Sequence, residues 1–199
     1  MTPLKTLITL VALLAAQAAF AQHQPSPSDN TCNASVIPGM VHGDYTITAG
    51  PLVVRVGTAA MFPDPETTGT GKIYPGPLRE FMVNMTPPIP DFELVETDRM
   101  QPDWYWDALP TGSKMAGLYY SSKDLEHLTN CTIREMPRFI GTFQTMSQEG
   151  IPLEHTIRLV MALPDLLIGS WRWLSITPNG PIDGTRFVIF GRTNPHIGN

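Results

Sequence analysis

Proline and glycine set the grain of this chain. Twenty prolines and 16 glycines are distributed over 199 residues. A proline fixes its own φ and offers no N–H, so neither a helix interior nor a central strand runs through it. Apolar runs are therefore short and loops numerous. Hydrophobic residues still make up 42% and charged residues only 16%, which excludes a disordered polyelectrolyte and leaves enough apolar surface for a core.

One segment escapes the punctuation. Leu7 to Leu14 (LITLVALL) is uninterrupted, follows Lys5, and precedes Ala19-Phe20-Ala21. A basic start, a short apolar stretch and small residues before a cleavage point form an export signal over 1–21, with Gln22 as the new first residue. The run is shorter than the ~20 residues that span a bilayer. The expected mature chain has a flexible leader over 22–35, a single globular domain over 36–199, no membrane span, and a periplasmic or secreted location.

Loss of Lys5 takes the net charge from −5 to −6. Such a balance argues against nucleic acid, whose recognition needs a basic face. The acid excess is confined to Asp29–Asp107, with 11 acids and 4 bases, whereas Ala108–Asn199 holds 7 acids and 8 bases. Cys32 and Cys131 are the two cysteines. In an exported chain they are expected to form a disulfide that ties the leader to the body. Three N-x-S/T sequons start at Asn33, Asn84 and Asn130.

Local patterning suggests a mixed α/β domain (alternatively α+β) with a mixed sheet, short helices and a C-terminal antiparallel hairpin. Tyr45–Thr48 and Leu52–Val56 read as strands separated by Ala49-Gly50-Pro51, the second buried on both faces. Gly57–Pro77 reads as a long loop. Leu78, Phe81, Met82 and Met85 share a helical face, and Lys123–Leu128 reads as a short helix. Phe92–Thr97 and Met115–Tyr120 read as strands, and Phe139–Met146 fits either state. Pro152 suits a helix start, with Leu153, Ile157, Val160 and Met161 on one face and Pro164 at the end. Ser170–Ile176 and Arg186–Arg192 form the final hairpin across turn signals Asn179-Gly180 and Asp183-Gly184.

Chemistry-bearing motifs are sparse. The five histidines (His23, His42, His127, His155, His196) show no metal-ligand spacing, and no nucleophile elbow or phosphate-cradling motif occurs. No cofactor or metal is called for. Asp91, Glu93, Glu96, Asp98, Asp103 and Asp107 cluster in sequence and could supply a carboxylate pair. The most distinctive stretch is Asp103-Trp104-Tyr105-Trp106-Asp107. If extended, its two indoles share one face and its acids the other, an arrangement suited to stacking on a sugar or small polar ligand, or to core packing. Trp171 and Trp173 repeat the spacing and are expected mainly in the core.

Leu52–Pro63 (LVVRVGTAAMFP) resembles the opening strand and loop of extracellular solute-binding proteins of the amino-acid-binding kind. The order that follows, a loop, a short helix, Phe92–Thr97, a Trp-containing stretch ending in Gly112-Ser113-Lys114, and Met115–Tyr120, extends the resemblance over residues 52–135. It implies non-catalytic ligand capture between lobes. That family grips a carboxylate with a Thr three residues before an Arg; here Arg134 follows Thr132 by two. The functional expectation is an exported small-ligand-binding protein of unknown oligomeric state, with Asp103, Trp104, Tyr105, Trp106 and Asp107 as contacts. Two alternatives remain. One is a small exported hydrolase or isomerase using carboxylates of 91–107; the other is an envelope or extracellular interaction module.

Overall fold

The computed structural model describes residues 32, 36, 38–57, 59–61, 64–86, 89–97 and 122–194. Two helices and ten strands occur among them: α1 (Pro38–Val41), β1 (Gly43–Ala49), β2 (Val53–Val56), β3 (Ala59–Met61), β4 (Thr67–Tyr74), β5 (Met82–Met85), β6 (Phe92–Glu96), α2 (Ser122–Thr129), β7 (Arg138–Met146), β8 (Pro152–Leu163), β9 (Leu166–Thr177) and β10 (Gly180–Arg192).

Each pairing is antiparallel, in the order β1-β4-β5-β6-β7-β8-β9-β10, and β10 pairs back with β1. The sheet thus closes into an eight-stranded barrel. This corrects the mixed α/β (or α+β) expectation with its mixed sheet. Closure removes most of the open edges that an antiparallel sheet would otherwise expose. The two interruptions expected at Gly50-Pro51 and at Asn179-Gly180 help build it. Gly50-Pro51 does not make a hairpin of β1 and β2. It lets both strands line the same edge of β10, β1 against Val188–Arg192 and β2 against Ile182–Thr185, with the Gly50 N–H donating to Phe187 C=O at 2.8 Å across the jog. Strand β3 then pairs with β2 and extends the sheet beyond the barrel.

Side-chain alternation fills the interior. Tyr45, Ile47, Ile73, Val83, Phe92, Leu94, Phe139, Ile157, Leu159, Met161, Leu167, Val188 and Phe190 form one buried cluster inside the ring. Eight strands make a barrel just wide enough for side chains to fill, or for one small ligand. Outward positions such as Asp44, Thr46, Thr48, Lys72, Glu154 and Arg172 are polar. This apolar-in, polar-out order is the reverse of a membrane barrel's. No helix among the described residues is long and apolar enough to cross a membrane.

A second cluster lies outside the barrel. Leu125 of α2, Cys131 and Met136 pack on Val53, Val160, Ala162, Ile168 and Phe187, which face outward from β2, β8, β9 and β10. The Cys32–Cys131 disulfide, with Cα atoms 5.4 Å apart, ties Cys32 to this place.

Three sequence expectations are overturned here. Pro152–Leu163 is a strand: Leu153, His155, Ile157, Leu159 and Met161 point inward, while Val160 and Ala162 point outward under α2. Covering both faces at one end replaces alternation by a solid apolar run, which mimics a helical stripe. Leu78–Met85 is not helical; its second half is β5, and Leu78 is 93% exposed. Gly57–Pro77 is no loop but holds β3 and β4, the latter built from outward Thr68, Thr70 and Lys72 alternating with Gly69, Gly71 and Ile73. The strands Phe92–Glu96 and Val53–Val56 and the helix at 122–129 agree with expectation. Met115–Tyr120 lies outside the described residues.

Candidate functional site

The barrel has two unlike ends. At the base, where β5 and β7 begin and β10 finishes, α1 crosses the opening. Val41 is fully buried there, and Tyr45 Oη donates to Val41 C=O at 2.6 Å. Burial pushes the Tyr45 phenol above its ordinary value, against the lowering influence of Arg192. Arg192 is 4% exposed; it donates to Met40 C=O at 2.6 Å, pairs with Asp165 at 3.4 Å, and lies 5.8 Å from the Tyr45 ring centre. His42 Nε2 bonds to Glu80 C=O at 2.7 Å on the far side. The base is thereby strapped, although Arg192 Nε and Thr97 Oγ1 make no hydrogen bond of their own.

At the other end, the mouth, β9 and β10 run on past the shorter strands to a tight turn at Pro178–Asn179. Gly180 takes φ +110° there, a conformation that glycine adopts without strain. The second turn signal, Asp183-Gly184, is not a turn. Gly184 sits in β10 opposite Trp173, and a Cβ on it would lie 2.3 Å from the indole. Glycine is required so that the half-buried Trp173 ring can lie across β10.

Below Trp173 a belt of rings crosses the barrel. Phe92 stacks on Phe143 (4.7 Å between centres), Phe143 on His155 (4.6 Å, planes 6° apart), and His155 neighbours Trp171 at 5.8 Å. Trp171 Nε1 donates to His155 Nδ1 at 2.9 Å, and His155 Nε2 lies 2.8 Å from Thr145 Oγ1. An indole N–H only donates, so Nδ1 is bare and the neutral ring carries its proton on Nε2. Burial lowers the His155 pKa from 6.5 to about 4. Arg186 lies 6.0 Å from the Trp171 ring centre and reaches Asp64 (3.4 Å) and Thr67 (3.3 Å) beyond the end of β1.

Above the belt the wall turns apolar. Val54 and Met61 are cross-strand partners, as are Val54 and Gly184, and Val56 and Ile182. These side chains continue the inner face of the barrel onto the β2–β3 extension, where Val56 and Met61 are 41% and 51% exposed. Ser175, inward on β9 and opposite Ile182, is 4% exposed, and its Oγ has no hydrogen-bond partner. A buried hydroxyl left in this state costs about 1–3 kcal/mol.

Asp103, Trp104, Tyr105, Trp106 and Asp107 lie outside the described residues, as do Asp98 and the export-signal segment 1–21. Asp91 and Glu93 are on the outer face of the barrel. Asp91 accepts from Tyr74 Oη (2.6 Å) and Asn84 Nδ2 (2.7 Å), which holds its carboxyl below the usual range, and Glu93 pairs with Arg79 at 2.6 Å. Of the resemblance segment, Thr132 caps its own turn through Glu135 (2.8 Å) beside the disulfide. Among the described residues no three His, Cys, Asp or Glu side chains converge as a metal site.

Sequence reasoning missed the belt because 152–163 read as a helix. The signal was present in β8, where Leu153, His155, Ile157 and Leu159 alternate with Glu154, Thr156 and Arg158 over the first eight residues. No family model matches this chain, and neither a curated protein nor a solved structure matches it.

Proposed function

We propose that this is an exported, non-catalytic binding protein that takes a small ligand at the mouth of the barrel. The observation that carries this reading is the Ser175 hydroxyl, buried and unpartnered on the inner wall beside a partly exposed indole. A ligand with a hydroxyl or carbonyl beside a flat apolar face, the class that includes sugars, would satisfy Ser175 and stack on Trp173. The exposed Val56 and Met61 would cover its outer side. His155 supports binding over catalysis, because both ring nitrogens are committed to Trp171 and Thr145. The Cys32–Cys131 bond and the leader pattern support an oxidising compartment.

The test is a thermal-shift and tryptophan-fluorescence screen of the purified chain against sugars, amino acids and aromatic alcohols. A hit is expected to weaken about tenfold in Ser175→Ala and further in Trp173→Ala. A hit that depends on Trp104 or Trp106 but not on Trp173 or Ser175 moves the site to the Asp103–Asp107 stretch. Silence across the screen overturns the binding reading.

A further inference from the structure

The barrel is not sealed along its whole height. Strands β6 and β7 pair from Leu94 to Glu96 against Phe139 to Gly141, and then they part. Strand β6 starts only at Phe92, two residues after Pro90, whereas β7 runs on to Met146. The parting opens a groove of about 650 Å³ on the outer surface, lined by residues that include Leu78, Arg79, Asp91, Glu93, Thr142 and Gln144. Phe92 and Phe143, stacked, form its inner floor.

Main-chain polarity along β7 can be read from its bonds. Thr97 N–H donates to Arg138 C=O at 2.9 Å, so even-numbered residues turn their peptide groups toward β6. Met161 N–H donates to Pro137 C=O (2.9 Å) and Ser147 N–H to Ile151 C=O (2.8 Å), so odd-numbered residues turn toward β8. In an antiparallel ladder this alternation is strict. The N–H and C=O of Gln144 and Met146 therefore face the groove, above the last rung to β6, and no described strand pairs with them there. Both side chains are exposed, Met146 at 69%.

A strand edge inside a groove with which no described strand pairs is a template for one more strand. We propose that β7 from Thr142 to Met146 is a strand-addition site for an extended peptide segment of a partner protein, carrying alternating apolar and basic residues. The backbone edge supplies the hydrogen bonds. The exposed Leu78 and the Phe92–Phe143 floor offer apolar contact to alternate side chains. Around the groove Glu93 is paired with Arg79, and Asp91 and the adjacent Glu154 leave an acid excess, which matches basic residues on the incoming strand. The site is on the outer wall; it meets the belt of rings through Phe92 and Phe143 but includes neither Ser175 nor Trp173.

The experiment is fluorescence anisotropy with labelled, end-blocked heptapeptides alternating valine or leucine with lysine, beside the same peptides with glutamate in place of lysine. The lysine set is expected to bind in the range below about 1 mM and at least tenfold more tightly than the glutamate set. N-methylation at alternate peptide residues should abolish binding in one phase and spare it in the other, because only every second amide faces β7. Gln144→Pro removes one edge N–H without touching the ladder to β8, and should weaken binding at least tenfold. Absence of binding by the lysine set, or N-methylation without a period of two, overturns the proposal. So does a concentration-dependent dimer that Gln144→Pro abolishes and the peptides leave intact, since that assigns the edge to a second copy.

Discussion

The base and the mouth of this barrel are made from the same strands with opposite results. At the base, Arg192, Tyr45 and His42 each find a partner in α1 or in the strand ends, and the opening is strapped shut. At the mouth, closure comes from rings, with His155, Trp171 and Trp173 filling the bore and Arg186 reaching over to Asp64. The mouth also keeps a buried hydroxyl without a hydrogen-bond partner and an exposed apolar wall, while at the base Thr97 Oγ1 and Arg192 Nε likewise make no hydrogen bond. The contrast is between an end strapped by side chains bonded to main-chain carbonyls and an end closed by rings with apolar wall left exposed, and it is at the second that binding is sought.

The contrast presupposes a barrel whose outer face is held independently of both ends. Replacing Cys32 and Cys131 by Ser is expected to cost the most, about 3–5 kcal/mol, since the bond closes a loop with a sequence separation of 99. Urea unfolding measures it; a loss below about 1 kcal/mol would show that the N-terminal segment constrains little. Next comes the strap. Asp165→Ala leaves the Arg192 guanidinium, 4% exposed, without its carboxylate partner, and an expected loss of about 2 kcal/mol follows. An unchanged urea midpoint would mean that Met40 C=O and the Tyr45 ring hold Arg192 unaided.

At the mouth the corresponding polar contact is sensitive to pH. In the folded chain burial lowers the His155 pKa to about 4, against an ordinary value of 6.5. Between those values the unfolded chain takes up a proton that the folded chain refuses. Stability therefore falls as pH drops from 6.5 toward 4 and is unaffected by this group above and below that window. The expected contribution is on the order of 2 kcal/mol. The measurement is the difference between wild type and His155→Gln in urea midpoint from pH 7 to pH 4, which cancels the carboxylates that titrate in the same range. Parallel curves for the two proteins would contradict the belt as described.

How much of this was legible in the sequence depends on how each strand is covered. Strands with one covered face and outward polar residues were read correctly, as at Tyr45–Thr48 and Phe92–Glu96. Strand β8 was not, because α2 covers its outer face at Val160 and Ala162 and removes the alternation. Strand β4 was hidden by composition: its Thr and Gly residues carry a turn-like signature, and only their pairing to β1 from Gly43 to Ala49 makes them a strand. Closure itself is a long-range property, the meeting of β1 with β10 across about 140 residues, and no local pattern encodes it. The disulfide was legible from compartment and count alone. The belt was half legible, since Trp171 and Trp173 were placed in a strand while His155 was placed on a helix.

The smallest expected effect tests the contrast most directly. Ser175→Ala deletes a hydroxyl that makes no hydrogen bond, on a residue 4% exposed. Had the hydroxyl been a structural partner, its loss would cost about 1 kcal/mol. As an unpartnered group it should cost nothing, and removal can stabilise the free chain by a few tenths of a kcal/mol up to about 1 kcal/mol. The same substitution at Thr145, which holds His155 Nε2 at 2.8 Å, should instead destabilise by about 1 kcal/mol. Two inward hydroxyls, one on β7 and one on β9, would thus respond with opposite sign in the same urea titration. Equal losses at both would mean that Ser175 is held within the folded chain after all, and the mouth would then offer a ligand no unpaired hydroxyl.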